Sequence, residues 1–500
     1  MSEPPALKIV VIVTDTQGVN VVGCYGRPDM QTPCLDRLAS EGVRFDRAYT
    51  ASPVCGPARS ALFTGTYPHT NGSWGNDMPL GANVCSIGQR LSDGGFHTAY
   101  VGKWHLSGTD YFDDGYCAPG WDSDYWYDIR CYLDELSPSE RLLWRQELDS
   151  PDAVHRHGIT EEFTYAHRCS DRAINSLSRH GADPFFLVVS YDEPHAPCTC
   201  PPPFCDMFAE YDYPLGENAQ DPLDNKPAHQ QEWAEATGLP PIMTTLRRPM
   251  YFGCNSYVDH EIGRVLAATA GHAPDALVIY TSDHGTPLAS HRLNTKGPAM
   301  YDETTRIPFL VRWPGHAPQG LVSRCPVSHI DLVPTILAAA GIELPPSLEG
   351  ESILELFGDP RAAKERTVFV EFNRYEVDHD GWGGFQPIRC AIDGRYKLVI
   401  NLHYTDELYD LETDPQELTN LIADESVSDI RDALLDRILT WMNKTRDPFR
   451  GPIWERRAWN TKRRMRWGGS TRPRPDDGYE PRVLLYETGF PVERWEYPKN

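Results

Sequence analysis

Residues 7–13 (LKIVVIV) form an almost unbroken β-branched apolar run that ends on Thr14 and Asp15. A run of this length without polar alternation reads as a strand covered on both faces, the usual setting of a parallel sheet. Similar stretches recur through Tyr100 and Val101, at residues 185–189, at 276–280 and at 306–313, and residues 43–48 read as a further strand running toward the Cys55 loop. Between them lie helical periods, among them residues 32–41 stopped by Gly42, the face Phe163, Ala166, Ser170, Ala173, Ile174 and Leu177, and the face Tyr251, Cys254, Val258, Ile262 and Val265. This alternation predicts an α/β fold with a large mixed, mostly parallel sheet flanked by helices. Four of the strands lead into polar residues: Asp15; Lys103 and His105; His195; Asp283 and His284. Ligands of open α/β sheets bind outside the carboxyl ends of the strands, so these residues are expected to meet there.

From about residue 365 the pattern changes to short strands (368–372, 389–392, 396–401) and one helix near 427–442. Single cores stop growing at roughly 250–300 residues, so the 500 residues divide into an expected catalytic α/β domain, 1–364, and a C-terminal α+β domain with an antiparallel sheet, 365–500. Residues 111–149, rich in Tyr, Trp and Asp without clear periodicity, read as an insertion that walls a pocket, and residues 197–249 as mostly irregular.

The net charge of −24 disfavours nucleic acid and anionic membranes as partners, so an anionic substrate needs a local cationic pocket. The N-terminal apolar run is too short for a signal core or a membrane span, and the odd count of 13 cysteines suits reduced thiols; a cytoplasmic protein is expected. Cys198, Cys200 and Cys205 lack a second ligand pair for a structural zinc site, which is therefore not the favoured reading. The stretch from Lys444 onward is the one basic island, and reads as a strip packed by ion pairs on the acidic body in preference to a binding surface for a partner subunit or polyanion.

Within Ser52-Pro53-Val54-Cys55-Gly56-Pro57-Ala58-Arg59-Ser60-Ala61-Leu62-Phe63-Thr64-Gly65, Pro57 suits a first helical turn. Cys55 is then expected at a helix N-terminus with free backbone donors aimed at it, a setting that favours anions. Cysteine followed by proline two residues on, arginine four residues on and then Leu-x-Thr-Gly resembles the signature of the type I sulfatases of the alkaline-phosphatase superfamily. Gly95-Phe96-His97-Thr98-Ala99-Tyr100-Val101-Gly102-Lys103-Trp104-His105 resembles their second signature. In the C-terminal part Arg395-Tyr396-Lys397 and Asp406-Glu407-Leu408-Tyr409-Asp410-Leu411 with Asp414-Pro415 extend the likeness over most of the chain.

The resemblance implies an alkaline-phosphatase-like fold and hydrolysis of sulfate monoesters. It implies that Cys55 is oxidised to formylglycine by a formylglycine-generating enzyme or its equivalent, and that the hydrated aldehyde is the nucleophile. By the same likeness Arg59 and Lys103 hold that hydrate and the anionic group. His105 is the base that expels sulfate, and His195 and Lys296 bind the sulfate and serve the leaving oxygen. One divalent metal is implied at Asp15, Thr16, Cys55, Asp283 and His284, calcium by family default and manganese or zinc as alternatives. The chain departs from the pattern at Thr16, where the family usually has a second carboxylate, or Gln in its phosphonate-hydrolase relatives; Thr16 then coordinates weakly, leaves the place to water or yields to Gln17. His291 has no assigned role. A phosphonate monoester hydrolase or phosphodiesterase is the near alternative. A catalytically silent protein that binds sulfated ligands, Cys55 remaining a thiol, is the distant one. Taken singly, His195 reads as a hydrogen-bonded structural residue, the strand-end aspartates as helix caps and Cys55 as a buried thiol; it is their joint occurrence in family order that favours function. The sequence leaves a homo-oligomer open.

Overall fold

Lys8–Thr14 lies at the centre of a seven-stranded sheet, paired in parallel with Phe185–Ser190 on one side and Leu277–Ser282 on the other. In this computed structural model, which describes residues 7–460 except 110, 147, 363–364 and 377–383, His97–Gly102 continues the parallel set beyond Phe185–Ser190. On the other flank Phe309–Arg312 runs antiparallel to Leu277–Ser282 and to Val43–Phe45, and Leu321–Ser323 closes the edge parallel to Val43–Phe45. The sheet is thus mixed and mostly parallel, with one reversed strand.

The alternation of side chains along a strand divides the apolar runs between two cores. Val10 and Ile12 face helices Tyr165–His180 and Pro249–His272, packing with Cys169, Ala173, Val258 and Ile262. Ile9, Val11 and Val13 face the opposite way, toward Leu62 and Phe63 of helix Cys55–Thr64 and Val333 and Ile336 of helix Leu332–Ala339. Two of the expected strands are each broken in two. Residues 306–313 divide at Pro308, which has no N–H for a ladder, into Arg306–Ile307 and Phe309–Arg312. Residues 43–48 divide into Val43–Phe45 and Ala48–Tyr49, the latter pairing in a separate small sheet.

The C-terminal part forms a four-stranded antiparallel sheet, Val368–Phe372, Ile388–Ile392, Tyr396–Asn401 and Glu407–Asp410 in sequence order. Helix Ser428–Lys444 covers it through Leu435, Ile438 and Leu439 against Leu398 and Ile400. Ala51, Ala61 and Tyr67 belong to the same core, so this sheet rests on helix Cys55–Thr64 and the segments on either side of it. The division expected between residues 364 and 365 falls beside 363–364, outside the described residues. The basic stretch is described as far as residue 460, where Arg457 pairs with Asp406 at 2.7 Å and Trp459 donates to the same carboxylate; its cations from Lys462 to Arg474 lie outside the described residues.

Residues 111–149 are less irregular than expected. They contain helices Ile129–Glu135, capped by the Asp128 side chain, and Pro138–Gln146. Helices of two turns carry too few apolar repeats to reveal a period, and the same holds for Ala228–Ala236 in the Pro-rich stretch. Among the described residues no helix is long and apolar enough to cross a membrane.

Helix Pro33–Ser40 has no side-chain cap of its own from Thr32. The N–H groups of Cys34 and Leu35 instead donate to the buried carboxylate of Asp259, at 3.0 and 2.9 Å, which ties this helix to Pro249–His272. Substituting Asp259→Ala leaves two helix donors unpaired, and a loss of roughly 1–3 kcal/mol is expected. A shifted urea midpoint with an unchanged slope would register it; a wild-type midpoint would contradict the assignment.

Candidate active site

The three central strands are parallel and in register, so the residues that follow them emerge at one edge of the sheet. Asp15 follows Thr14, Asp283 follows Ser282, and Lys103 follows Gly102 with its N–H on the carbonyl of Ser190, 2.7 Å away. Helix Cys55–Thr64 begins at the same edge with every residue buried. One turn into it, the fully buried Arg59 lies on the same helical face as Cys55. Its Nε donates to Asp283 Oδ2 at 3.0 Å, one terminal nitrogen lies 3.4 Å from Asp15 Oδ2, and the other donates to the Lys103 carbonyl and Ser190 Oγ at 2.8 and 2.6 Å. Arg59 therefore braces the site. Gly56 N–H donates to Asn76 Oδ1 at 2.9 Å, so this donor of the helix terminus is not free, in contrast to the expectation from sequence.

Donor atoms of Asp15, Cys55, Asp283 and His284 lie within 4.8 Å of one another, all in buried residues. His284 Nδ1 lies 2.8 Å from the carbonyl of Gly285, which can only accept, so Nδ1 carries the proton. Nε2 is then left bare, 3.1 Å from Cys55 Sγ and 3.8 and 3.7 Å from Asp15 and Asp283. Burial and the neighbouring Lys296 hold the ring neutral, with its pKa well below the ordinary value. Two carboxylates, a bare imidazole nitrogen and the side chain of residue 55 converging in a buried pocket are a donor set fit for a divalent cation.

Burial acts to raise the pKa of Asp15, but Lys103, His195, Lys296 and Arg59 outweigh it and hold this carboxyl well below the usual range. Asp283 is pushed up to about 7 by burial and by Asp15. Thr16 adopts a left-handed backbone, φ 64°; its hydroxyl lies 2.5 Å from Asp15 Oδ1 and its N–H donates to Asp283 Oδ1 at 3.1 Å. Gln17 is turned away, its amide 2.5 Å from Asn255 Oδ1 and its carbonyl accepting from Thr14, so it does not fill the place of the missing carboxylate.

On the other side of Cys55 stand the cations. Lys296 Nζ lies 2.8 Å from Cys55 Sγ. Lys103 Nζ is paired with Asp15 Oδ2 at 2.6 Å and with Asp192 Oδ1 at 3.0 Å, and these two carboxylates raise its pKa against the effect of burial. The ring of Tyr111 covers Lys103 at 3.9 Å and stacks on His195 with centroids 5.1 Å apart. His105 sits at a left-handed backbone position, φ 57°, with its N–H and that of Trp104 held by the buried carboxylate of Asp113 at 2.7 and 3.2 Å. Burial, Lys103 and Arg59 depress the His105 pKa, so this imidazole is neutral and able to accept a proton.

The residues chosen from sequence are thus gathered at one place. Asp192, Tyr111, Asp113 and Asn76 were not chosen. Tyr111 does lie within the stretch expected to wall a pocket, and Asp192 two residues after a strand end, so each carried a positional signal without a chemical one. His291 belongs elsewhere, bonded to Asp221 at 2.7 Å and stacked on Tyr301. Cys205 groups with His155 and Asp206 and not with Cys198 and Cys200.

A profile of the sulfatase family matches residues 8–342, and a profile described as the N-sulphoglucosamine sulphohydrolase C-terminal region matches residues 291–444. The protein of Escherichia coli (strain K12) named "Uncharacterized sulfatase YidJ" is 49% identical over 489 residues, covering 96% of each chain. An "Ulvan-active sulfatase" of Formosa agariphila is 28% identical over 472 residues, covering 89% of this chain and 84% of its own. The crystal structure of a phosphonate monoester hydrolase of Agrobacterium radiobacter shares the fold, with a TM-score of 0.71 at 22% identity over 88% of this chain and 96% of that one. A family profile that spans the central strands, the Cys55 helix and the histidine-bearing loops, together with a relative 49% identical along nearly the whole chain, makes this protein a member of the sulfatase family and a hydrolase of that kind.

Proposed function

We propose that the chain hydrolyses sulfate monoesters through a formylglycine hydrate at position 55, assisted by one divalent cation. The observation that carries this reading is the setting of Cys55, whose buried sulfur lies 2.8 Å from Lys296 Nζ and 3.1 Å from the bare His284 Nε2, in one cluster with Asp15 and Asp283. Burial and Asp15 push its thiol up to about 12 although Lys296 stands 2.8 Å from the sulfur. A thiol of that pKa supplies almost no thiolate at neutral pH, whereas the surrounding lysine, histidine and carboxylates suit the oxygens of an aldehyde hydrate. Asp15, Asp283 and His284 would hold the ion together with an oxygen on residue 55, with Thr16 beside both carboxylates. Calcium is the ion the family implies, and an imidazole ligand admits manganese or zinc. When bound, it supplies positive charge to the nucleophilic oxygen and to the sulfate.

Within that arrangement Lys103 and Lys296 attract the non-bridging sulfate oxygens. His195 serves the oxygen that leaves, and the neutral His105 takes the proton when sulfate is later expelled from residue 55. Charge counting favours sulfate over phosphate monoesters. The cations Arg59, Lys103 and Lys296 face the carboxylates Asp15, Asp192 and Asp283, so a divalent ion would leave an excess of about two charges. That excess matches one ionised nucleophile and one monoanionic ester. A phosphonate monoester, also monoanionic, is the second reading, since Thr16 stands where the family usually has another carboxylate.

Three outcomes are expected. Peptide mass measurement on residue 55 finds formylglycine in active protein, and Cys55→Ala and Cys55→Ser each reduce turnover to background with the fold intact. An unmodified thiol in every host would leave only the ligand-binding alternative, and a Cys55→Ala protein with wild-type rates would overturn the mechanism. Chelation inactivates the enzyme, and Asp283→Asn loses more metal by elemental analysis than Thr16→Ala, because a hard cation is held chiefly by charge; equal losses would contradict this. Thr16→Asp places a further carboxylate next to Asp15, and a unit charge a few ångströms away is worth on the order of 1–4 kcal/mol. Any side activity on dianionic phosphate esters should then fall ten-fold or more relative to the sulfatase rate, and an equal fall in both would rule charge out as the basis of selectivity.

A further inference from the structure

We propose that Tyr111 and Asp192 are positioning residues that, together with the Ala196 carbonyl, hold His195 in one tautomer and support its protonated form, and that they thereby set how well the enzyme expels weakly acidic alcohols. The inference rests on the sulfatase reading above and extends it to residues outside the family motifs.

The hydrogen-bond directions follow from which groups can donate. His195 Nδ1 lies 2.8 Å from the carbonyl of Ala196 and 2.9 Å from the hydroxyl of Tyr111. A backbone carbonyl only accepts, so Nδ1 carries a proton. The Tyr111 hydroxyl makes a short hydrogen bond to Asp192 Oδ1, to which Lys103 Nζ also donates at 3.0 Å. The phenol has one proton, and the carboxylate paired with Lys103 accepts it. Its oxygen is then free to accept from His195 Nδ1–H. One consistent chain results, from imidazole N–H to phenol to carboxylate, with the Lys103 ammonium at its end.

The consequence falls on the other ring nitrogen. With the proton on Nδ1, Nε2 of the neutral ring is bare. Partial burial and Lys296 lower the pKa of His195, which keeps it neutral before an anion binds. A bound sulfate ester brings negative charge, and the ring then takes a proton from water on Nε2. As an oxygen of the residue-55 hydrate bonds to sulfur and the ester S–O bond breaks, the His195 proton passes to the bridging oxygen, the alcohol departs neutral and the ring returns to its neutral form with Nδ1–H still on Tyr111. The proton the ring took up is balanced by the one that the attacking hydrate hydroxyl loses. The phenol and Asp192 stabilise the imidazolium in this step as a carboxylate does in other histidine relays. The stacking of Tyr111 on His195 and its lid over Lys103 fix the ring in the plane that this chain requires.

The test is a series of sulfate esters running from acidic nitrophenols through phenol to simple alcohols, assayed as kcat/KM on wild type, Tyr111→Phe and Asp192→Asn. Tyr111→Phe keeps the ring, its stack and its cover of Lys103, and loses only the hydroxyl. It should slow nitrophenyl sulfates a few-fold and alkyl sulfates roughly ten- to a hundred-fold, the scale of a weakened general acid. Asp192→Asn should change the leaving-group dependence in the same direction, with thermal midpoints near wild type for Tyr111→Phe. The same fold-loss on every ester, or none, would reduce Tyr111 to a packing role and overturn the inference. That outcome is distinct from failure of the sulfatase reading, in which wild type itself would turn over none of the sulfate esters and Cys55→Ala would change nothing.

Discussion

The Arg59 guanidinium, wedged between Asp15 and Asp283 with no exposure to solvent, is the contact on which the site depends. A charge buried at this depth is tolerated only when it is paired and hydrogen-bonded, and Arg59 reaches that state only if five chain segments come together. The carboxylates come from the ends of two adjacent parallel strands, the Lys103 carbonyl and Ser190 hydroxyl from the ends of the next two, and Arg59 from the helix that carries Cys55. The apolar strand cores make those arrivals possible, because Lys8–Thr14 is covered on both faces and held in register by its neighbours. Core packing and the charge cluster are therefore two parts of one arrangement, and the helix that carries Cys55 is held by the same arginine that satisfies the carboxylates.

The C-terminal sheet enters this arrangement through a less obvious route. Asn76, which accepts from the Gly56 N–H next to Cys55, has its own N–H on the carbonyl of Tyr375, just beyond strand Val368–Phe372. Below it, His69 donates its N–H to the buried Glu371 at 2.8 Å, and the Tyr67 ring meets Trp441 edge-on at 4.8 Å. The chain after the Cys55 helix thus lies between that helix and the C-terminal part. A chain lacking the second sheet would expose it and leave the start of the Cys55 helix without the support that fixes Asn76.

Much of this was legible in the sequence because strand ends are local events. Asp15, Lys103 and Asp283 each follow an apolar run directly, and Cys55 and Arg59 are linked by one helical turn, so a linear reading places all of them. Tyr111 and Asp192 could not be found that way, since they lie 81 positions apart and each acquires its meaning only from the other and from His195. The helices of residues 129–146 were missed for another reason: they are fixed by Asp128 as a cap and by Pro138 at a first turn rather than by apolar repeats. Thr16 was legible as a departure from the family pattern, but not as a residue that touches both carboxylates, because that depends on a left-handed backbone that no residue type other than glycine announces.

The loop from Lys103 to Asp113 concentrates opposing roles in a short span. It begins with the lysine paired to Asp15, holds His105 at a positive φ that costs of order 1–3 kcal/mol, and carries Tyr111 over Lys103 and against His195. What offsets the strain is Asp113, whose buried carboxylate accepts from Trp104 and His105 N–H and from Ser107 Oγ and is itself pushed up to about 7 by burial. His105, proposed to accept the proton when sulfate leaves, and Tyr111, proposed to orient His195, therefore ride on one segment anchored by Asp113. A change in Asp113 would displace both together, whereas a change in Tyr111 or Asp192 alters the His195 side and leaves the anchoring of His105 in place. In the proposed mechanism that separation would let leaving-group preference change at Tyr111 and Asp192 without altering the parts that expel sulfate.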